Sequence, residues 1–227
     1  MRRGLIVGIT VCTAIAVTGL ALAHLPEDKK EGGWTPLFNG KDFAGWKKFL
    51  DPKEKGDPDK IWQVKDGMIW CDGSIYGYLL TEKDYENYML RLQWKWGDKV
   101  TRARNSGVFV HVSGPDKIWP KGVEAQLFIG HAGDFWLVDG FKLTVEKSRQ
   151  DPKNARHFDR MVKEGVEKPI GEWNQYEITC KGDAIKLVVN GQMMNEGTAA
   201  EHAKGKILLQ SEGAEIWFRN LEMKPIQ

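Results

Sequence analysis

Residues 105–128 alternate between apolar and polar positions in two short runs joined by a turn-rich linker. In the first run Val108, Val110 and Val112 share one side, and Asn105, Gly107, Phe109 and His111 the other. In the second, Val123, Ala125 and Leu127 share one side, and Glu124, Gln126 and Phe128 the other. A period of two marks half-buried antiparallel strands. A merely solvated face would carry Lys, Thr and Ser. This one carries amides, an imidazole, a carboxylate and aromatics, and it reads as the floor of a binding site.

The alternation recurs along the chain. Residues 61–71 (IWQVKDGMIWC) read as a hairpin turned by Asp66-Gly67. Residues 85–96 put Tyr88, Leu90, Leu92, Trp94 and Trp96 on one face, with Met89, Arg91, Gln93 and Lys95 opposite. Strand-like runs follow at 142–146, 173–180, 185–189, 206–210 and 215–223, with turns expected at Lys181-Gly182-Asp183, Asn190-Gly191 and Glu212-Gly213. Residues 147–168 are highly charged without a clear period, so they read as a long surface loop or a short irregular helix. No segment sustains a helical period. The pattern predicts an all-β sandwich or barrel, and of these a two-sheet antiparallel β-sandwich with little helix is the expectation.

The N-terminus stands apart. Arg2 and Arg3 precede an uncharged apolar stretch, and Ala21-Leu22-Ala23 has the small-x-small form of a cleavage site. Residues 1–23 are therefore expected to be a signal peptide, giving a periplasmic or secreted protein. An uncleaved anchor is the alternative. Residues 24–33 read as a polar leader, and 34–227 as one domain with no membrane association after cleavage. Losing Arg2 and Arg3 from 33 basic residues leaves them equal in number to the 31 acidic ones. A neutral chain has no basic excess to drive nucleic-acid binding, so none is expected. Cys71 and Cys180 would then be the remaining thiols; export permits a disulfide, and two buried free thiols are the alternative. Trp is abundant, at 10 residues. Most are expected to pack in the core or at its rim, although Trp also stacks well on sugar rings. No Gly-rich phosphate loop, HExxH, GxSxG or CxxC is present.

Eight short motifs, in order, carry a resemblance. They are LFNGKDFAGW (37–46), WxVxDGxI (62–69), GYLLT (77–81), NSGVFV (105–110), GVEAQL (122–127), GHAGDFW (130–136), PIGEWNQYEI (169–178) and GKILLQSEGAEIWFRNL (205–221). Together they resemble the 3-keto-disaccharide hydrolase domain family, formerly a domain of unknown function. The resemblance implies a concanavalin A-like jelly roll whose concave sheet carries the site. It also implies export and action on sugars oxidised at C3, with a metal in some members. Relatives often have an acidic residue and then His-Gly where this chain has Ser211-Glu212-Gly213. Glu212 thus stands in the position of that His.

A 3-keto sugar has an acidic C2–H, and removing it lets the C1 aglycone leave. The reaction needs a base near C2 and a donor or cation on the C3 oxygen. Glu124 reads as the base, or else as a structural carboxylate. His111 reads as a base or metal ligand, or else as a hydrogen-bonded surface residue. Gln126 and Gln210 would bind hydroxyls or satisfy each other. Asn105 reads as a ligand contact or a turn former, and Trp136 as a stacking platform or a core residue. Arg219 would polarise the ketone or pair with Glu212 or Glu124. His131 and Asp134, with Glu124, would suit a Zn²⁺- or Ca²⁺-like divalent ion, although their spacing is not diagnostic. Arg102 and Arg104 read as solvated loop charges, and Glu212 as a solvated turn residue of smaller importance. The alternative function is a non-catalytic carbohydrate-binding or scaffold domain. Convergence of Glu124, His111 and Gln210 in one pocket would discriminate the two.

Overall fold

A computed structural model describes residues 32–227. The expected signal peptide and nearly all of the leader lie outside the described residues. In chain order the strands are β1 (Thr35–Pro36), β2 (Trp46–Leu50), β3 (Trp62–Lys65), β4 (Met68–Cys71), β5 (Gly77–Thr81), β6 (Tyr88–Asn105), β7 (Gly107–Ser113), β8 (Lys121–Gln126), β9 (Phe135–Val138), β10 (Thr144–Val145), β11 (His157–Phe158), β12 (Asn174–Lys181), β13 (Ala184–Val189), β14 (Gln192–Thr198) and β15 (Lys206–Pro225). Helix among the described residues is confined to Pro58–Ile61 and a 3-10 turn at Lys147–Arg149. None is long and apolar enough to cross a membrane.

The strands form two antiparallel layers. One, the site sheet, runs β11-β9-β8-β7-β15-β5-β2. The other, the backing sheet, runs β10-β14-β13-β12-β6-β15, with β4 and then β3 beyond β15 and β1 on its end. The expected two-sheet sandwich is the observed one. Leu79, Val108, Val110, Val123, Ala125 and Leu209 from the site sheet meet Leu90, Leu92, Trp94, Tyr176, Ile178, Ile216 and Phe218 from the backing sheet, all fully buried. Burying one such side chain stabilises the fold by about 1.5–3 kcal/mol. Tyr88, Leu90, Leu92, Trp94 and Trp96 all face this core, as the alternation on β6 predicts.

Two hairpins close as expected. Asp66 and Gly67 have φ of 51° and 72°, and Asn190 and Gly191 have 48° and 80°. Positive φ at both central residues is the type I′ turn that Asp-Gly and Asn-Gly favour. Cys71 and Cys180 are buried free thiols, so the disulfide alternative does not hold.

Two expectations are corrected. The chain does not turn at Glu212-Gly213, because β15 runs unbroken for 20 residues. Its first part pairs with β5 and β7, and its second with β6, β4 and β1. The change of sheet happens at a bulge, where Glu212 and Gly213 both sit opposite Asn105. Arg102 and Arg104 are likewise not in a loop, since β6 extends to Asn105. Arg102 reaches Glu54 at 3.2 Å and lies 4.1 Å over the Tyr76 ring.

Gly213 has φ +99°, and a Cβ there would sit 2.8 Å from the Ala103 carbonyl oxygen. Gly213→Ala is expected to destabilise the protein by about 1–3 kcal/mol through backbone strain alone, more if the bulge must shift. Urea denaturation checks this; unchanged stability would show that the bulge tolerates a side chain.

A candidate active site lined by two carboxyl groups

The site is built by strand register. Phe109 on β7 faces Glu124 on β8, Glu124 faces Trp136 on β9, and Trp136 faces His157 on β11. Directly opposed residues in antiparallel strands project to the same face. This is the face turned away from the main core. Tyr78, Leu80, Phe109, Val112, Val138 and Leu208 give it a second apolar cluster, with Phe49, Trp119 and Trp136 against it. Beside that cluster lies a cavity of about 230 Å³ lined by Asn105, Trp119, Glu124, Gln126, Trp136, Arg156, Gln210 and Glu212, among others.

Gly107 makes room for Glu124. A Cβ at Gly107 would lie 2.5 Å from Glu124 Oε1. Glu124 is buried, and its Oε1 has no hydrogen-bond partner within the protein. Burial, and then the charge of Glu212, push its carboxyl well above the usual carboxylate range; Arg156 acts weakly the other way. Burial also raises Glu212, to about 7, against the opposing pull of the Asn105 amide and Arg102. Gln210 is buried with both side-chain polar atoms unpartnered, and Asn105 Oδ1 is unpartnered too. Gln126 is committed to structure, because its Oε1 accepts from the Leu127 and Phe128 amides at 2.8 and 2.9 Å. Ser106 Oγ donates to the Gln210 carbonyl at 2.7 Å and ties β15 to the start of β7.

Asn105, Glu124, Gln126, Trp136 and Gln210 therefore line one cavity, and Glu212 joins them. Its expected place at a solvated turn is corrected, since the bulge aims it into the cavity. Trp119 and Arg156 were missed. Trp119 comes from the turn-rich linker and Arg156 from the aperiodic charged segment, where no alternation signals which side chains face inward.

His111 is not in the cavity, so its expected role as base or metal ligand is corrected. It has φ +55° at an irregularity between Val110 and Ser113, and beyond it Val112 rather than His111 joins the site-face cluster. Its ring lies 6.3 Å from both Phe141 and His202. Burial lowers its pKa to about 4, leaving a neutral imidazole. Arg219 is also elsewhere, on the backing sheet, bonded through Nε to Gln93 at 2.7 Å and lying 4.0 Å over Trp173. It pairs with neither Glu124 nor Glu212 in the structure.

The expected metal pair does not fit a metal. Asp134 Oδ2 meets both His131 Nδ1 at 3.0 Å and His157 Nε2 at 2.9 Å, while its Oδ1 accepts the Arg160 amide at 2.7 Å. His157 Nδ1 in turn meets Asp151 at 3.1 Å. Carboxylates on both ring nitrogens hold His157 as an imidazolium, with no lone pair for a cation; its pKa is raised, as these bonds and charges outweigh burial. Asp134, His157 and Asp159 come close together, yet the first two are already saturated by each other. Their role here is support: the His157 ring stacks on Trp136 at 4.5 Å and 15°.

Fold and cavity together define a jelly-roll sandwich with a carboxyl-lined site on one sheet. The profile of the 3-keto-alpha-glucoside-1,2-lyase-like domain matches residues 33–224, and the chain belongs to that family. It is similar to a Bacteroides thetaiotaomicron protein named 3-keto-disaccharide hydrolase, at 24% identity over 267 residues, 96% of this chain and 86% of that protein. A solved Parabacteroides distasonis structure, provisionally described as a glycosyl hydrolase, is 29% identical with a TM-score of 0.64, covering 89% of this chain and 98% of that one. A Bacillus licheniformis β-glucanase shares the fold alone, at 14% identity and a TM-score of 0.54, with 87% and 100% covered.

Burial of Glu124 gives a pH-dependent prediction. An unfolded Glu ionises near its ordinary value of 4.5, whereas the folded one resists ionisation to higher pH. Its relative contribution to stability is therefore full below 4.5 and is lost as pH rises toward the folded value. Glu124→Gln is expected to gain about 1–3 kcal/mol at pH 8, shrinking toward acid pH. Urea titrations at both ends of that range check it; a variant less stable at pH 8 would mean that Glu124 has a stabilising partner.

Proposed function

We propose that the cavity binds a glycoside oxidised at C3 and cleaves it by removing the C2 proton, expelling the C1 aglycone and adding water. The supporting observation is Glu124: a buried carboxyl whose Oε1 has no hydrogen-bond partner in the protein, in the cavity that the orphaned amide of Gln210 also lines. Buried polar groups are normally satisfied, and leaving them open costs stability. A sugar ketone and its neighbouring hydroxyls are the partners that fit. Gln210 and Asn105 supply unpaired amide atoms for them. Trp119 and Trp136 supply ring faces, with His157 holding Trp136 in place from one side.

This chemistry differs from direct glycoside hydrolysis. The neighbouring ketone stabilises the carbanion, so no oxocarbenium ion has to be supported between two flanking carboxylates. The family, and the relative named a 3-keto-disaccharide hydrolase, support the same substrate class. The segment at residues 1–23 supports a periplasmic or secreted setting.

The test compares a 3-keto-glucoside with its unoxidised parent. Wild-type protein is expected to release aglycone from the keto-sugar only, and Glu124→Ala to lose on the order of 10²–10⁴-fold in kcat. Equal cleavage of the parent glucoside would sink the keto-sugar reading. Binding of the keto-sugar without turnover would instead make the cavity a carbohydrate-binding site.

A further inference from the structure

The two carboxyl groups in the cavity have different surroundings. Glu124 lies on the floor at 6% exposure, over Gly107 and between Phe109 and Trp136 along its row. No donor reaches its Oε1. Glu212 sits at the crossing of β15 between the sheets and is half-buried. Asn105 sits opposite it in register, and the Asn105 amide and Arg102 favour its charged form. Glu212, less buried and beside Asn105 and Arg102, ionises first; Glu124, deeper, with Oε1 unpartnered and Arg156 acting only weakly on it, keeps its proton to higher pH.

We propose that Glu212, as carboxylate, is the base that takes the C2 proton, and that Glu124, as un-ionised acid, donates a hydrogen bond to the C3 oxygen together with the Gln210 amide. This division of labour rests on the keto-glycoside reading above. Glu212 accepts the proton, and the C2–H electron pair enters a C2–C3 double bond while the C3 oxygen takes the negative charge. Re-forming the ketone moves that pair to C1–C2 and breaks the C1–O bond. The aglycone oxygen leaves with the proton held by Glu212, and one water adds across C1–C2. The net change is hydrolysis, with no oxidant or reductant consumed. A neutral acid aimed at a developing enolate oxygen needs no reorganisation during the step, which suits a buried carboxyl that cannot easily ionise.

The charged groups around the pair agree with this order. Glu124 faces Glu212 and Arg156, and Glu212 faces Glu124 and Arg102. Arg102 is shared with Glu54. Arg156 lies 5.9 Å over Trp136, and His157 beside it is held by Asp134 and Asp151. Proton abstraction should therefore rise with pH through about 7, as Glu212 ionises. It should fall again at the higher pH where Glu124 ionises.

The test isolates proton abstraction from bond cleavage. A 3-keto-1,5-anhydroglucitol has no aglycone, so in D₂O proton abstraction is read as deuterium uptake at C2, which NMR follows separately from the C4 hydrogen that the same ketone activates. Glu212→Gln is expected to slow exchange on the order of 10²–10⁴-fold. Glu212→His keeps a base at that position and should exchange measurably faster than Glu212→Gln. Glu124→Gln keeps a donor and should lose about tenfold or less, whereas Glu124→Ala should lose on the order of 10²–10³-fold. Wild-type cleavage with exchange surviving in Glu212→Gln, or abolished in Glu124→Gln, overturns the division of labour while leaving the keto-glycoside reading intact. Wild-type protein that neither cleaves keto-glycosides nor exchanges retires both.

Discussion

The structure depends on the antiparallel pairing of one strand with both sheets. β15 hydrogen-bonds to β5 and β7 in the site sheet, then to β6, β4 and β1 in the backing sheet. A strand shared in this way couples the two layers through the backbone as well as through the apolar core. The coupling requires one irregular point, since side-chain alternation has to reset where the strand changes layer. That point is the bulge at Glu212 and Gly213, held against Asn105. Bulges re-aim side chains, and here the re-aimed side chain is a carboxyl directed into the cavity. The joint that closes the sandwich therefore also delivers Glu212 and Asn105 to the same place.

The cavity is locally expensive in stability. Glu124 Oε1, both polar atoms of Gln210 and Asn105 Oδ1 are buried without partners in the protein. The surrounding structure supports this cost. Ser106 anchors the Gln210 backbone, Gln126 closes the end of β8, and His157 braces Trp136 from the sheet edge. Local rules are broken at functional sites and compensated nearby. These four atoms belong to residues that line one cavity on the face opposite the main core, which is where unsatisfied polarity can meet a polar ligand.

Much of this was legible in the alternation. On β8 the pattern places Val123 and Ala125 in the core and Glu124 and Gln126 on the other face, because nothing interrupts that strand before Gln126. Counting by twos fails where the backbone inserts or re-aims a residue. His111 shares its expected parity with Phe109, but its left-handed φ breaks the count, and no neighbour in the sequence announces it. Glu212-Gly213 has the composition of a turn, and local composition cannot distinguish a turn from a bulge within a strand that changes sheets. Trp119 and Arg156 come from segments without a period, so only tertiary placement brings them to the site. Arg219 is a different kind of error. Its alternation with Phe218 holds, but strand parity does not say which sheet a face belongs to, and its segment lies in the backing sheet.

The two carboxyl groups show why the assignment of roles needed the structure. In the sequence Glu124 stands out as a lone acid on a neutral strand face, and Glu212 looks solvated. Folding inverts their electrostatic positions. Glu124 ends up with no donor to its Oε1 and with a second negative group nearby, whereas Glu212 retains an amide, a guanidinium and partial contact with water. The charge of Glu212 raises the pKa of Glu124 and Arg156 opposes it only weakly, whereas the neighbours that act on Glu212, Asn105 and Arg102, both favour its charged form. The difference arises from position along the fold: Glu124 lies in the interior of β8, against Gly107, and Glu212 lies at the crossing of β15. In a relative with His in the position of Glu212, the same crossing would present an imidazole instead of a carboxylate, and the mutual repulsion with Glu124 would disappear. The ionisation of Glu124 is thus tied to the residue at position 212, so the two positions form one electrostatic unit.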